Sequence, residues 1–206
     1  MLCTTTEPED EALVRLAGRC QVACYRGATS DVLLRFLGAS ERFSVDSFVV
    51  SEGDSPFCEP ALIDQVAAIL TADSADFVKV EGMPFGTFPY GLRTSALREV
   101  CDRKDEEDTE GWGRYFTTGR YRVTVVRAPE KWVGKDYRMT VDYPEDLAFA
   151  RAVYERLYVP GHPFDLDAVF DLLEREPSIP ALNAHRQQEW LARFRKRYSH
   201  VKFKPS

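Results

Sequence analysis

No apolar run in this 206-residue chain reaches the ~18 residues needed to cross a bilayer as a helix. The first residues, "MLCTTTEPEDEALV", lack both a basic region and a long apolar core. They do not read as a signal peptide, and a cytoplasmic location is expected. Positive charge is also short: the net formal charge is -6. A nucleic-acid or anionic-membrane partner would want a basic face, so neither is expected. The last helix, with Arg193, Arg195, Lys196 and Arg197, is a local exception. Histidines number three, His162, His185 and His200, all late in the chain. The five cysteines, Cys3, Cys20, Cys24, Cys58 and Cys101, are odd in number and scattered. A zinc site needs tighter Cys/His clusters, so the cysteines read as reduced thiols in or near a core. No internal repeat and no low-complexity linker is present.

What is present is alternation. "MLCTTT" predicts a strand and "EPEDEALVRLAGR" a helix, with acids in its first turn. "CQVACYRG" is a second strand, and "DVLLRFLGASERF" a helix with Asp31 as its N-cap. "VDSFVV", "PALIDQVAAILTA" and "DFVKVEG" continue as strand, helix, strand. Short alternation of this kind indicates βαβ units and a layered α/β domain with a mostly parallel sheet. The second half is less regular. "FGTFPYGLRTS" reads as a loop before the helix "SALREVCDR", and "DRKDEEDTEG" as a solvated acidic loop. "WGRYFT" is a helical turn, "YRVTVVRAP" and "YRMTV" are strands, and "PEDLAFARAVYERLY" is an amphipathic helix. Two further helices, "DLDAVFDLLERE" and "NAHRQQEWLARFRKRY", make a C-terminal extension over 161–206, after an α/β domain over 1–160.

Two segments share a pattern. "SFVVSEGDSP" and "RMTVDYP" each run from an apolar strand to an Asp, one residue, then Pro. Ligands of open α/β sheets bind beyond the carboxyl ends of strands, where Asp54 and Asp142 fall. If the strands are neighbours, the two carboxylates share a cleft and suit Mg²⁺, which takes one or two carboxylates with phosphate and water. The bland alternatives stay open: Asp142 as a cap of the helix at Pro144, and Asp54 as an Asx-turn residue.

The motifs resemble a family, the spore-coat-polysaccharide-type cytidylyltransferases, relatives of CMP-Kdo and CMP-sialic acid synthetases. "YRGATSDVLLRF" is similar to their Arg-Gly-x-x-x-Asp-Val-Leu-x-Arg-[Tyr/Phe] motif, and "SEGDSPFCEPALIDQV" to their Gly-Asp-x-Pro segment. "FPYGLRTSAL" resembles their Pro-x-Gly loop, and "YRMTVDYPEDL" their Arg-x-Thr-Val-Asp-x-Pro-Glu-Asp-Leu element. The resemblance implies a nucleotide-diphospho-sugar-transferase-like (GT-A type) α/β fold. It implies transfer of a nucleoside monophosphate from an NTP, usually CTP, to a sugar or sugar phosphate. Asp54 and Asp142 match the family's metal-binding aspartates, so they are expected to be catalytic, with Mg²⁺ as cofactor. Arg26, Asp31, Arg35, Tyr90 and Arg138 are the implied substrate-binding residues. Ion pairs for Arg35 and Arg138, and a helix cap for Asp31, are their structural alternatives.

The family opens with one more unit, a strand and a glycine- and arginine-containing loop that wraps the NTP phosphates. Nothing like it precedes "LCTTTEPEDEAL". The expectation is therefore an N-terminally incomplete relative, with an unpaired sheet edge that favours a homodimer or other oligomer. The alternative is a non-catalytic relative that acts as a ligand-binding or protein-interaction module. "TEGWGRYFT" departs from the family's Arg-Glu-His-Val-Thr segment, which leaves the substrate open. Trp112 and Tyr115 read as core residues or as a stacking platform. Trp190, Phe194 and Tyr198, four apart, read as a docking face rather than a site.

Overall fold

Short stretches of four or five residues make the strands, and amphipathic stretches of nine to fourteen make the helices. The computed structural model describes residues 1–72, 75–198 and 200–204. Strand β1 (Leu2–Thr5) leads through α1 (Glu11–Arg19) to β2 (Cys24–Gly27), which pairs with β1 in parallel. Helix α2 (Val32–Arg42) leads to β3 (Ser47–Val50), and α3 (Pro60–Thr71) to β4 (Phe77–Glu81). Then come β5 (Tyr90–Arg93), α4 (Thr94–Arg103), a 3₁₀ turn (Trp112–Phe116) and β6 (Val123–Arg127). Helices α5 (Pro144–Leu157), α6 (Leu166–Arg175) and α7 (Arg186–Arg197) complete the chain. No helix among the described residues is long and apolar enough to cross a membrane.

The strands form two sheets, β1-β2 and β3-β5-β4-β6. In the larger one β3, β4 and β6 share a direction and β5 runs against them. The loop expected over "FGTFPYGLRTS" thus contains a strand. Its alternation is masked by Pro89 and Gly91, and its pairing comes from partners remote in sequence. The reverse correction applies to "YRMTV", which forms no strand ladder. Its backbone bonds go singly to two separate segments: the Met139 amide to the Phe85 carbonyl at 3.0 Å, and the Val141 amide to the Asp54 carbonyl at 2.8 Å.

Three apolar clusters hold these layers. Leu33 and Leu37 of α2 meet Leu97 and Val100 of α4 over Phe77, Leu92 and Phe116. Leu62, Val66 and Leu70 of α3 cover Val78, Val80 and Val126 on the sheet. Phe149 and Val153 of α5 pack with Val169, Phe170 and Leu173 of α6. Each buried Leu, Ile or Phe of this kind stabilises by about 1.5–3 kcal/mol. The extension over 161–206 therefore shares a core with α5.

Candidate functional site

The chain beyond β3 turns at Glu52-Gly53-Asp54, and the segment before α5 turns at Asp142. The Val141–Asp54 backbone bond ties the two turns together. Both aspartates line one cleft of about 410 Å³. Asp54 faces the cleft, yet burial by surrounding atoms raises its carboxyl, and the charge of Asp142 raises it further. Glu52 is more enclosed. Burial pushes it up to about 7, the charge of Asp54 adds to the push, and a 3.3 Å bond from the Trp112 indole opposes it.

Arg138 lies beneath this edge with its side chain fully shielded. Its Nε and Nη2 donate to the two Asp146 oxygens, each at 2.9 Å, and Nη2 also reaches Asp142. Burial works against the Asp146 carboxylate, but bonds from Arg138, the Asp142 amide and Asn183 outweigh it and hold its carboxyl low. Asp146 also accepts the Tyr143 amide at 3.0 Å. Tyr143 is the N-cap residue of α5, and Asp146 serves the start of the helix. Asp142 is not the cap and is left to face the cleft.

Gly86 shows why the opposite rim runs close. Its φ is +95°, and a Cβ there would lie 2.5 Å from the Met139 backbone. Only glycine permits that approach without displacement. Beyond it, Tyr90 and Trp112 line the cleft, with ring centroids 5.1 Å apart.

Of the expected site residues, Asp54, Asp142 and Tyr90 line this cleft and Arg138 supports it. Arg26, Asp31 and Arg35 do not line it. Arg26 donates to the Thr5 carbonyl and pairs with Glu11 at 2.8 Å. Asp31 caps α2 by accepting the Leu34 amide, and is buried with Lys104 and Thr109. Arg35 donates to the Ala28 and Thr29 carbonyls at 2.6 and 3.1 Å.

Several lining residues were not singled out as site residues: Glu52, Lys79, Arg114, Trp190 and Phe194. Glu52 sits two before Asp54 in the same turn, and that proximity was the available signal. The sequence spacing makes the aromatic stripe of α7 a docking face. It does dock, with Trp190 on Phe85 at 4.6 Å between centroids, and in docking it walls the cleft.

Among the described residues, no group of three or more His, Cys, Asp or Glu is arranged to hold a metal. Asp54 and Asp142 nevertheless fit Mg²⁺ in its two-carboxylate form, because both line one cleft and the charge of Asp142 is felt at the Asp54 carboxyl.

No family model matches the chain. An uncharacterised protein, MJ1063 of Methanocaldococcus jannaschii, is 25% identical over 193 residues, covering 92% of this chain and 78% of that protein. The spore coat polysaccharide biosynthesis protein SpsF of Bacillus subtilis is 25% identical over 183 residues, covering 86% of this chain and 75% of SpsF. A solved cytidylyltransferase from Leptospira borgpetersenii superposes with a TM-score of 0.73 at 18% identity, covering 85% of this chain and 75% of the other. Molybdopterin-guanine dinucleotide biosynthesis protein A of Archaeoglobus fulgidus superposes at 0.52 with 16% identity, covering 74% and 78%. The fold is therefore the nucleotide-diphospho-sugar-transferase-like one that the motifs implied.

Proposed function

We propose that this chain is a nucleotidyltransferase of surface polysaccharide biosynthesis. It transfers a nucleoside monophosphate, CMP from CTP, to a sugar or sugar phosphate in the cytoplasm. The similarity to SpsF and to a cytidylyltransferase structure supports the class. The observation that carries the reading is the meeting of Asp54 and Asp142, 88 positions apart, at one cleft edge.

In the reaction an acceptor oxygen bonds to the α-phosphorus, the bond from that phosphorus to the bridging oxygen breaks, and pyrophosphate leaves. Such transfer depends on positioning and charge neutralisation. Asp54 and Asp142 would hold Mg²⁺, which supplies positive charge to the phosphate oxygens when bound. Arg138 orients Asp142 from behind, and Asp146 keeps Arg138 from turning away. Tyr90 and Trp112, set edge to face, give an aromatic corner against which a base or sugar ring can pack.

The test is a thermal-shift panel of the chain with CTP, GTP, UTP and ATP, each with and without Mg²⁺. Ligand at ~100-fold over Kd stabilises the folded state by ~2.7 kcal/mol. A CTP shift that requires Mg²⁺, followed by pyrophosphate release with a sugar, is expected. A flat panel would favour the second reading, a non-catalytic binding module on the same scaffold. One observation favours that second reading: the sheet is broken, so β1 and β3 each keep an unpaired edge among the described residues. Such edges accept a strand from another chain, a second copy included.

A further inference from the structure

We propose that the outer face of α5 is the surface through which two copies of this chain associate, with the two helices antiparallel about a two-fold axis. A dimer of this kind does not depend on what the cleft binds.

Helix α5 is apolar on two sides. Its inner side carries Phe149, Ala150 and Val153, all buried. On the opposite side Leu147, Arg151, Tyr154 and the C-cap residue Tyr158 follow at spacings of four, three and four, which makes one stripe along a helix. Solvent reaches that stripe: Leu147 is 41% exposed, Tyr154 38%, Tyr158 54% and the adjoining Val159 55%. A helix resting on a core by one face ordinarily turns charged and polar residues outward. The patch is also built in advance. The Tyr154 ring lies 5.8, 5.1 and 6.1 Å from the Phe57, Phe164 and Tyr158 rings, and its hydroxyl donates to the Pro56 carbonyl at 3.3 Å. A ring already held loses little freedom on docking. Tyrosine and arginine are the residues that interface centres favour.

Charge names the occupant. Of the charged side chains of α5, Glu145 pairs with Arg186 at 2.7 Å, Asp146 with Arg138 at 2.9 Å and Arg156 with Glu176 at 2.6 Å. Arg151 and Glu155 are left over. Both are exposed, and among the described residues neither makes an ion pair. In a two-fold contact residue i meets j and j meets i. An axis midway between positions 152 and 153 brings Leu147 onto Tyr158 of the second copy, and Arg151 onto its Tyr154 and Glu155. Every contact then occurs twice. Apolar pairs form at the two ends, ~16 Å apart along the helix. Guanidinium, tyrosine ring and carboxylate meet in the middle. The face is thus complementary to itself, whereas a partner of one charge sign would leave Arg151 or Glu155 unmatched.

The full chain is followed by sedimentation velocity from ~1 to ~100 µM, the range over which a modest interface assembles. Wild type should pass from monomer to dimer. Arg151→Glu sets acid against acid across the axis and Glu155→Arg sets base against base, so each should weaken the dimer at least ~10-fold. Arg151→Glu combined with Glu155→Arg keeps the face self-complementary and should regain most of the loss. Tyr158→Ser should weaken association with no such rescue. All these positions are exposed, so each variant should keep the circular dichroism and urea midpoint of the wild-type monomer. A wild type that stays monomeric throughout overturns the proposal. So does a dimer that both single reversals leave intact, which would assign association to another surface, such as the open edges of β1 and β3. Single reversals that dissociate the dimer without recovery in the combined variant would overturn the two-fold pairing.

Discussion

Arg138 and Asp146 face each other with both side chains shut off from solvent, joined by two parallel bonds of 2.9 Å. Asn183 closes the arrangement, its amide donating to the Arg138 carbonyl and to Asp146 at 3.0 and 2.9 Å. A buried pair is costly to break, because the survivor is left charged and uncompensated. Arg138→Ala or Asp146→Ala should cost ~3–5 kcal/mol in urea unfolding. A loss below ~1 kcal/mol would mean that water reaches the pair.

Asp54→Asn and Asp142→Asn should each remove the Mg²⁺-dependent part of nucleotide stabilisation. Each leaves a neutral amide where the proposed cation needs charge. Calorimetric titration of Mg²⁺ with CTP present checks this. Unaltered Mg²⁺ affinity in both variants would dispose of the metal site.

Gly86→Ala should destabilise the chain by more than ~1 kcal/mol, since it combines a positive φ with a backbone clash. The Phe85–Met139 backbone bond should loosen with it, and amide hydrogen exchange at Met139 should speed up. Exchange unchanged at that amide would show that the rim accommodates a methyl group.

Asp10 joins β1 to the start of α1. Bonds from the Thr4 and Thr5 hydroxyls and the Thr5 amide pull its carboxyl down to about 2. A carboxyl lowered on folding stabilises above its unfolded value of about 3.9, and that stabilisation disappears as pH falls towards the folded value. The stability gap between wild type and Asp10→Asn should be full at pH 6 and close between about pH 4 and 2. A gap that persists unchanged at pH 2 would assign the effect to packing.

Much of the fold was legible because it repeats locally. The period of Leu62, Val66 and Ile69 marks a helix wherever it falls, and Asp31 before an apolar run marks a cap whose bond to Leu34 the structure contains. The Asp-x-Pro pattern likewise placed Asp54 and Asp142 at chain exits, now seen on one cleft. Arg26 and Arg35, which the motif likeness offers as substrate-binding residues, bond in the structure to nearby carbonyls and to Glu11.

The sequence by itself determined the helices, most of the strands and the two acidic turns, because periodicity and proline act over a few residues. Only the tertiary structure decided that β5 inserts backwards between β3 and β4, that "YRMTV" pairs with no strand, and that the α7 stripe becomes a cleft wall. It also decided that Glu110 accepts from the Tyr198 hydroxyl and that Asp108 pairs with Arg197. Those outcomes depend on which surfaces meet across a hundred residues, and the energy that selects them is packing and charge pairing between segments that carry no local sign of one another.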